Sequence, residues 1–168
     1  PQAAYGPAWY VPRPHLEALA RDGLTYPGNA VLLFGPERSG KTWLLRHLLR
    51  ATATPRDRVV SLSLDHFEPA CFHSLTAFLN ELGRQIGAGL GLLAADVQAA
   101  MGADGTPMSN LDRLLRRHLP RLLSEGSDGR LILAIDRADA ALAAGLRDPF
   151  FGLLRGWADD ADEPFSRL

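Results

Sequence analysis

The stretch that most constrains this chain is residues 30–49, AVLLFGPERSGKTWLLRHLL. Residues 30–34 form a short apolar run with the length of one buried parallel strand. Gly35-Pro36-Glu37-Arg38-Ser39-Gly40-Lys41-Thr42 matches G-x-x-x-x-G-K-[ST] at every fixed position. Trp43, Leu44, Leu45, Leu48 and Leu49 then recur at helical spacing. Strand, glycine loop and helix, in that order, are the context of a phosphate-binding loop. The glycines let the backbone curl so that successive N–H groups face one anion, and a helix starting near Gly40 adds the positive end of its dipole. In such a loop Lys41 reaches the β- and γ-phosphates and the Thr42 hydroxyl ligates Mg²⁺. Average composition yields this octet in about one chain of this length in two hundred. Lys41 is also the only lysine, against seventeen arginines. The position has kept a compact ammonium where a wide guanidinium would not fit.

At 168 residues the chain suits one domain with a substantial core. A formal net charge of −1 gives no case for nucleic acid or an anionic membrane surface. The single cysteine, Cys71, excludes an internal disulfide and a multi-cysteine zinc site, and a reducing, cytoplasmic setting is expected. Five scattered histidines show no ligand pairing. No apolar run approaches the roughly 18 residues of a membrane span. The chain opens on Pro1 rather than Met, as expected of a segment of a longer protein.

Residues 1–29 read as an irregular, Pro- and aromatic-rich lead-in with a short helix over 15–21 and a turn over 25–29 (TYPGN). Residues 30–168 read as the main domain. The first helix of that domain is expected over 40–51, a second strand over 58–64 (RVVSLSL), and a helix over 71–87 with Phe72, Leu75, Phe78, Leu79, Leu82 and Ile86 on one face. Residues 94–107 read as a weak helix or surface loop. Ser109-Asn110-Leu111-Asp112 resembles a capping box opening an amphipathic helix, with Arg113, Arg117 and Arg121 as its solvated stripe. Residues 130–136 (RLILAID) form a third strand, Asp148-Pro149 starts a last helix, and the acidic stretch 159–163 is expected to be solvated.

Asp136 is the second chemical element. An acid at the end of a buried strand is costly to desolvate without a partner. Mg²⁺ held by Thr42 and nucleotide phosphates would be that partner, making Asp136 a metal carboxylate; the alternative is a plain strand-end cap. Many ATP-hydrolysing proteins of this kind place Glu after this Asp to deprotonate water. Arg137 stands there instead, cannot accept a proton, and is expected to compete for the Asp136 carboxylate. Asp139 is the candidate to take over part of the acid's role, with Asp65 a poorer one.

Taken together these residues resemble the AAA-like, signal-transduction (STAND) branch of P-loop NTPases over nearly the whole chain. GPERSGKT corresponds to the Walker A motif and LILAID to Walker B. Tyr10-Val11-Pro12-Arg13-Pro14 is similar to the family's N-terminal arginine motif, which implies Arg13 as a nucleotide contact; Pro12 replaces the commoner glycine. The resemblance implies an α/β fold, the three-layer αβα P-loop NTPase type with a parallel sheet of order 5-1-4-3-2. It further implies an incomplete module ending before the sensor strand, the one that would separate the Walker A and Walker B strands. Direct pairing of the first strand with the third, as in P-loop kinases and GTPases, is the alternative topology.

The expected function is an ATP-binding switch module with ATP and Mg²⁺ as cofactors. Gly35, Pro36, Glu37, Arg38, Ser39, Gly40, Lys41, Thr42 and Arg13 are its nucleotide residues, Thr42 and Asp136 its metal ligands, and Asp136 and Asp139 its catalytic candidates. ATP or ADP and neighbouring domains or protomers are the expected partners, with no membrane and no nucleic acid. Hydrolysis is expected to be slow or absent. The alternatives are an active ATPase or small-molecule kinase, and a nucleotide-free interaction scaffold. The absence of an NKxD tetrad tilts the base towards adenine.

Overall fold

The computed structural model describes residues 10–26, 28–123, 128–160, 162 and 164–168. Residues 1–9 of the expected lead-in, Pro27 of the expected turn, and Ala161 and Glu163 of the acidic stretch lie outside the described residues. The chain is α/β: seven α-helices and a two-stranded parallel sheet among the described residues, compatible with an αβα arrangement.

The strands are β1 (Arg58–Ser63) and β2 (Leu131–Asp136), paired in register from Arg58 opposite Leu131 to Ser63 opposite Asp136. The second and third expected strands therefore form, and both end at the same edge, just before Asp65 and at Asp136. Their amino ends are tied by Asp57, whose side chain is only 3% exposed. Its carboxylate accepts the N–H of Thr54 (2.8 Å) and of Arg130 (3.1 Å). Burial pushes the Asp57 carboxyl up, but these backbone hydrogen bonds and the Arg130 guanidinium outweigh it and hold the group below the usual carboxylate range.

The helices are α1 (Pro14–Gly23), α2 (Lys41–Thr52), α3 (Leu75–Gly89), α4 (Ala94–Met101), α5 (Pro107–Leu122), α6 (Asp139–Ala143) and α7 (Arg147–Asp159). None is long and apolar enough to cross a membrane. The main core gathers Phe78, Leu79, Leu82 and Ile86 of α3 with Leu111, Leu114, Leu115 and Leu119 of α5, all fully buried, under Val60, Leu62 and Leu131 of the sheet. Phe78 meets Phe150 of α7 edge-on at 5.4 Å between ring centroids and 89° between planes, a favoured aromatic geometry. Close approach of α4 to α3 depends on Gly87, where a Cβ would lie 2.4 Å from a Val97 methyl.

A second, separate cluster joins Ala20 of α1 to Leu44 and Leu48 of α2, with Tyr10, Val31 and Leu33 packed against it. This corrects the expectation for residues 30–34. The segment does not form a strand: Val31 and Leu33 turn towards the helices, while Leu32 and Phe34 are 71% and 93% exposed. Among the described residues its backbone makes no backbone hydrogen bonds, with β2 or with anything else. An apolar run of alternating orientation has the character of a strand, but a strand exists only where a neighbour supplies the ladder. The alternative topology, direct pairing of this segment with the third strand, is therefore not formed either.

Smaller differences have local causes. The segment Pro69–His73 is a 3₁₀ turn rather than the start of a helix. The helix α3 begins later because the Ser74 hydroxyl accepts the Ala77 N–H at 3.2 Å. In α5 the cap is Thr106, which accepts the Ser109 N–H at 3.1 Å, so Ser109 lies inside the helix that it was expected to open. Residues 94–107 contain a true helix, α4. The last helix, α7, starts at Arg147, placing Asp148 in its first turn rather than at its cap. Asp160 of the acidic stretch is not simply solvated: it pairs with Arg116 at 2.5 Å.

Candidate functional site

The loop of residues 35–40 turns between the extended segment and α2. Gly40 caps α2 in the left-handed region (φ 83°), where a side chain would be strained, and a Cβ there would lie 2.6 Å from an Arg13 guanidinium nitrogen. Arg38 in mid-loop is also left-handed (φ 58°). Glu37 and Arg38 are exposed. Lys41 folds back over the loop: its Nζ donates to the carbonyls of Gly35 (2.8 Å) and Pro36 (2.7 Å). An ammonium so placed is a mobile donor that can exchange carbonyl oxygens for those of an incoming anion.

Arg13 reaches the same loop from the start of α1. Its Nη2 donates to the Ser39 carbonyl at 2.6 Å. Its backbone N–H donates to Glu17 Oε1 at 2.6 Å, and the Tyr10 hydroxyl donates to the same oxygen at 2.7 Å. His47 of α2 lies 3.4 Å from the other Glu17 oxygen and stacks on the Tyr10 ring at 4.3 Å. The Arg13 N–H first, then the Tyr10 hydroxyl, hold the Glu17 carboxyl below the usual range. Sequence reasoning singled out Arg13 but missed this support; the available signal was Glu17, four residues on and therefore one helical turn away.

Thr42 and Asp136, 94 residues apart, meet directly: the Thr42 hydroxyl donates to Asp136 Oδ2 at 2.8 Å. The other Asp136 oxygen accepts the Arg137 N–H at 3.0 Å. A hydroxyl and a carboxylate in contact are a hard-oxygen pair of the kind Mg²⁺ takes from a protein when phosphates and water complete its shell. No group of three or more His, Cys, Asp or Glu forms a metal cage among the described residues. The donors present thus fit a metal shared with a phosphate ligand better than an all-protein site.

One expectation is corrected here. Arg137 does not compete for the Asp136 carboxylate with its side chain, because its left-handed backbone (φ 58°) turns the guanidinium to Asp65, with Nε 3.0 Å from Oδ2. Asp139 is exposed in the first turn of α6, and no hydrogen bond or ion pair ties it to the loop among the described residues. A cleft lined by Thr54, Asp57 and Arg130 opens at the amino ends of the strands, away from the loop.

The chain belongs to the AAA-like domain family, whose family model matches residues 2–166. Membership supports a nucleotide-binding, NTPase-like module in general terms. No curated protein and no solved structure matches the chain.

Proposed function

We propose that this chain is the ATP-binding part of a signal-transduction (STAND-type) AAA-like switch, of the P-loop NTPase type, with slow or absent hydrolysis. The observation that carries the reading is the Thr42–Asp136 hydrogen bond at 2.8 Å, which joins the end of the glycine loop to the end of β2. In this reading residues 30–168 are the nucleotide-binding unit and residues 1–29 deliver Arg13 to it. The loop amides, Lys41 and Arg13 hold the phosphates. Thr42 and Asp136 would hold Mg²⁺, which would supply charge neutralisation to the phosphates.

Slow turnover follows from the chain's own residues. Arg137, standing where an acid would follow Asp136, cannot act as a base, and Asp139 is exposed with no tie to the loop among the described residues. A triphosphate would therefore persist and bias packing against neighbouring domains or protomers, in a cytoplasmic regulator. The test is calorimetric titration of ATP with and without Mg²⁺, together with phosphate release. Magnesium-dependent binding is expected, with turnover far below about 1 s⁻¹, the lower end of the usual enzymatic range. Absent ATP binding, or turnover at ordinary enzymatic rates, refutes the reading.

A further inference from the structure

Arg137 stands at this site as more than a missing acid. Only two non-glycine residues among those described adopt left-handed backbone, Arg38 in the loop and Arg137 after β2 (both φ 58°). Such strain persists where surroundings impose it, and it concentrates at functional sites. At Arg137 it accompanies an N–H bond to Asp136, the same carboxylate that takes the Thr42 hydroxyl. A continuous polar chain therefore runs along the carboxyl edge of the sheet from Thr42 through Asp136 and Arg137 to Asp65.

The last link is the weak one. Arg137 and Asp65 are 41% and 47% exposed, and their contact is an ion pair with Nε 3.0 Å from Oδ2. Exposed pairs of this kind contribute little, whereas a guanidinium on a phosphate makes charge-assisted, bidentate hydrogen bonds. Resting on the nucleotide-binding reading above, a triphosphate's terminal phosphate would approach the Thr42–Asp136 end of the site, and a diphosphate lacks that group. We propose that Arg137 discriminates nucleoside triphosphate from diphosphate. Asp65 is its positioning residue, holding the guanidinium at the strand edge until a terminal phosphate draws it across.

The experiment is calorimetric measurement of ATP and ADP affinity in the presence of Mg²⁺ for the chain as it stands and for Arg137→Gln, Asp65→Asn and the double variant. Thermal midpoints confirm folding. Arg137→Gln should weaken ATP about tenfold, the loss of one charge-assisted contact, and leave ADP within about twofold. Asp65→Asn should strengthen ATP more than ADP, and this gain should vanish in the Arg137→Gln background. A merely electrostatic effect of Asp65 would persist without Arg137, so that result overturns the proposal, as does an equal change for both nucleotides or no change. If the unaltered chain binds both nucleotides and Lys41→Ala abolishes both, the underlying reading stands whichever way Arg137 behaves. If it binds neither, both fall together.

Discussion

Replacing Lys41 by arginine keeps the positive charge and removes only the point-like donor. In the structure the ammonium sits 2.8 Å from the Gly35 carbonyl and 2.7 Å from the Pro36 carbonyl, bridging two consecutive residues of a tight loop. A planar guanidinium is wider and presents its donors in a fixed fork, so it cannot occupy that position without opening the loop. On binding, the ammonium exchanges these carbonyls for phosphate oxygens, and the net interaction at risk is one hydrogen bond to a charged group, about 1.5–3 kcal/mol. That corresponds to a loss of roughly 10- to 150-fold in ATP affinity. The fold should be little affected, since the bonds lost lie in a partly exposed surface loop and not in either apolar cluster. Titration calorimetry of Lys41→Arg and Lys41→Ala with Mg²⁺ and ATP, paired with thermal melts, checks both parts. Lys41→Arg binding like the unaltered chain while Lys41→Ala fails would refute the argument from shape and leave only charge. Unchanged affinity in both would remove the loop from the site.

Three other outcomes are expected. Gly40→Ala should lower stability by about 1–2 kcal/mol through the left-handed backbone alone. It should also displace Arg13 from the loop, because the new Cβ would lie 2.6 Å from its guanidinium, and ATP affinity should fall with it. Phe78→Ala removes a fully buried ring from the centre of the main core and should cost about 3–5 kcal/mol in denaturant unfolding. Asp57 has a folded-state acidity stronger than the usual carboxylate, so its stabilisation is complete above the ordinary value of about 3.9 and is lost as pH falls through the lower folded value. Thermal midpoints should therefore drop steeply below about pH 4, and Asp57→Asn should flatten that acid limb while lowering the plateau above it.

Much of the fold was legible because periodicity reports burial. The runs RVVSLSL and RLILAID became β1 and β2, and the spacing of Phe78, Leu79, Leu82 and Ile86 marked the buried face of α3. Residues 30–34 were misread for the same reason: Val31 and Leu33 do bury one side, but hydropathy carries no information about which backbone will pair with which. The cap of α5 slipped because Thr106 and Ser109 are both capping residues, and Pro107 between them favours the earlier start. At the site, the meeting of Thr42 and Asp136 followed from the motif pair, whereas the direction of the Arg137 side chain followed from a positive φ that no local pattern announces. The role of Glu17 was hidden in a long-range triangle with Tyr10 and His47.

The division of apolar packing into two clusters has a mechanical corollary. The helices α1 and α2, together with the glycine loop, share one small core, and the sheet with the remaining helices shares the other. What bridges them includes polar ties: the Thr42 hydroxyl on Asp136, the Arg130 guanidinium on the Leu24 carbonyl, and the Gly28 N–H on the Leu168 carbonyl at 2.7 Å. Polar links can be exchanged one at a time at modest cost, whereas a common oily interior parts only all at once. The loop-bearing piece is thus hung on the body like a door on separate pins. On warming, it should be the first piece to come away.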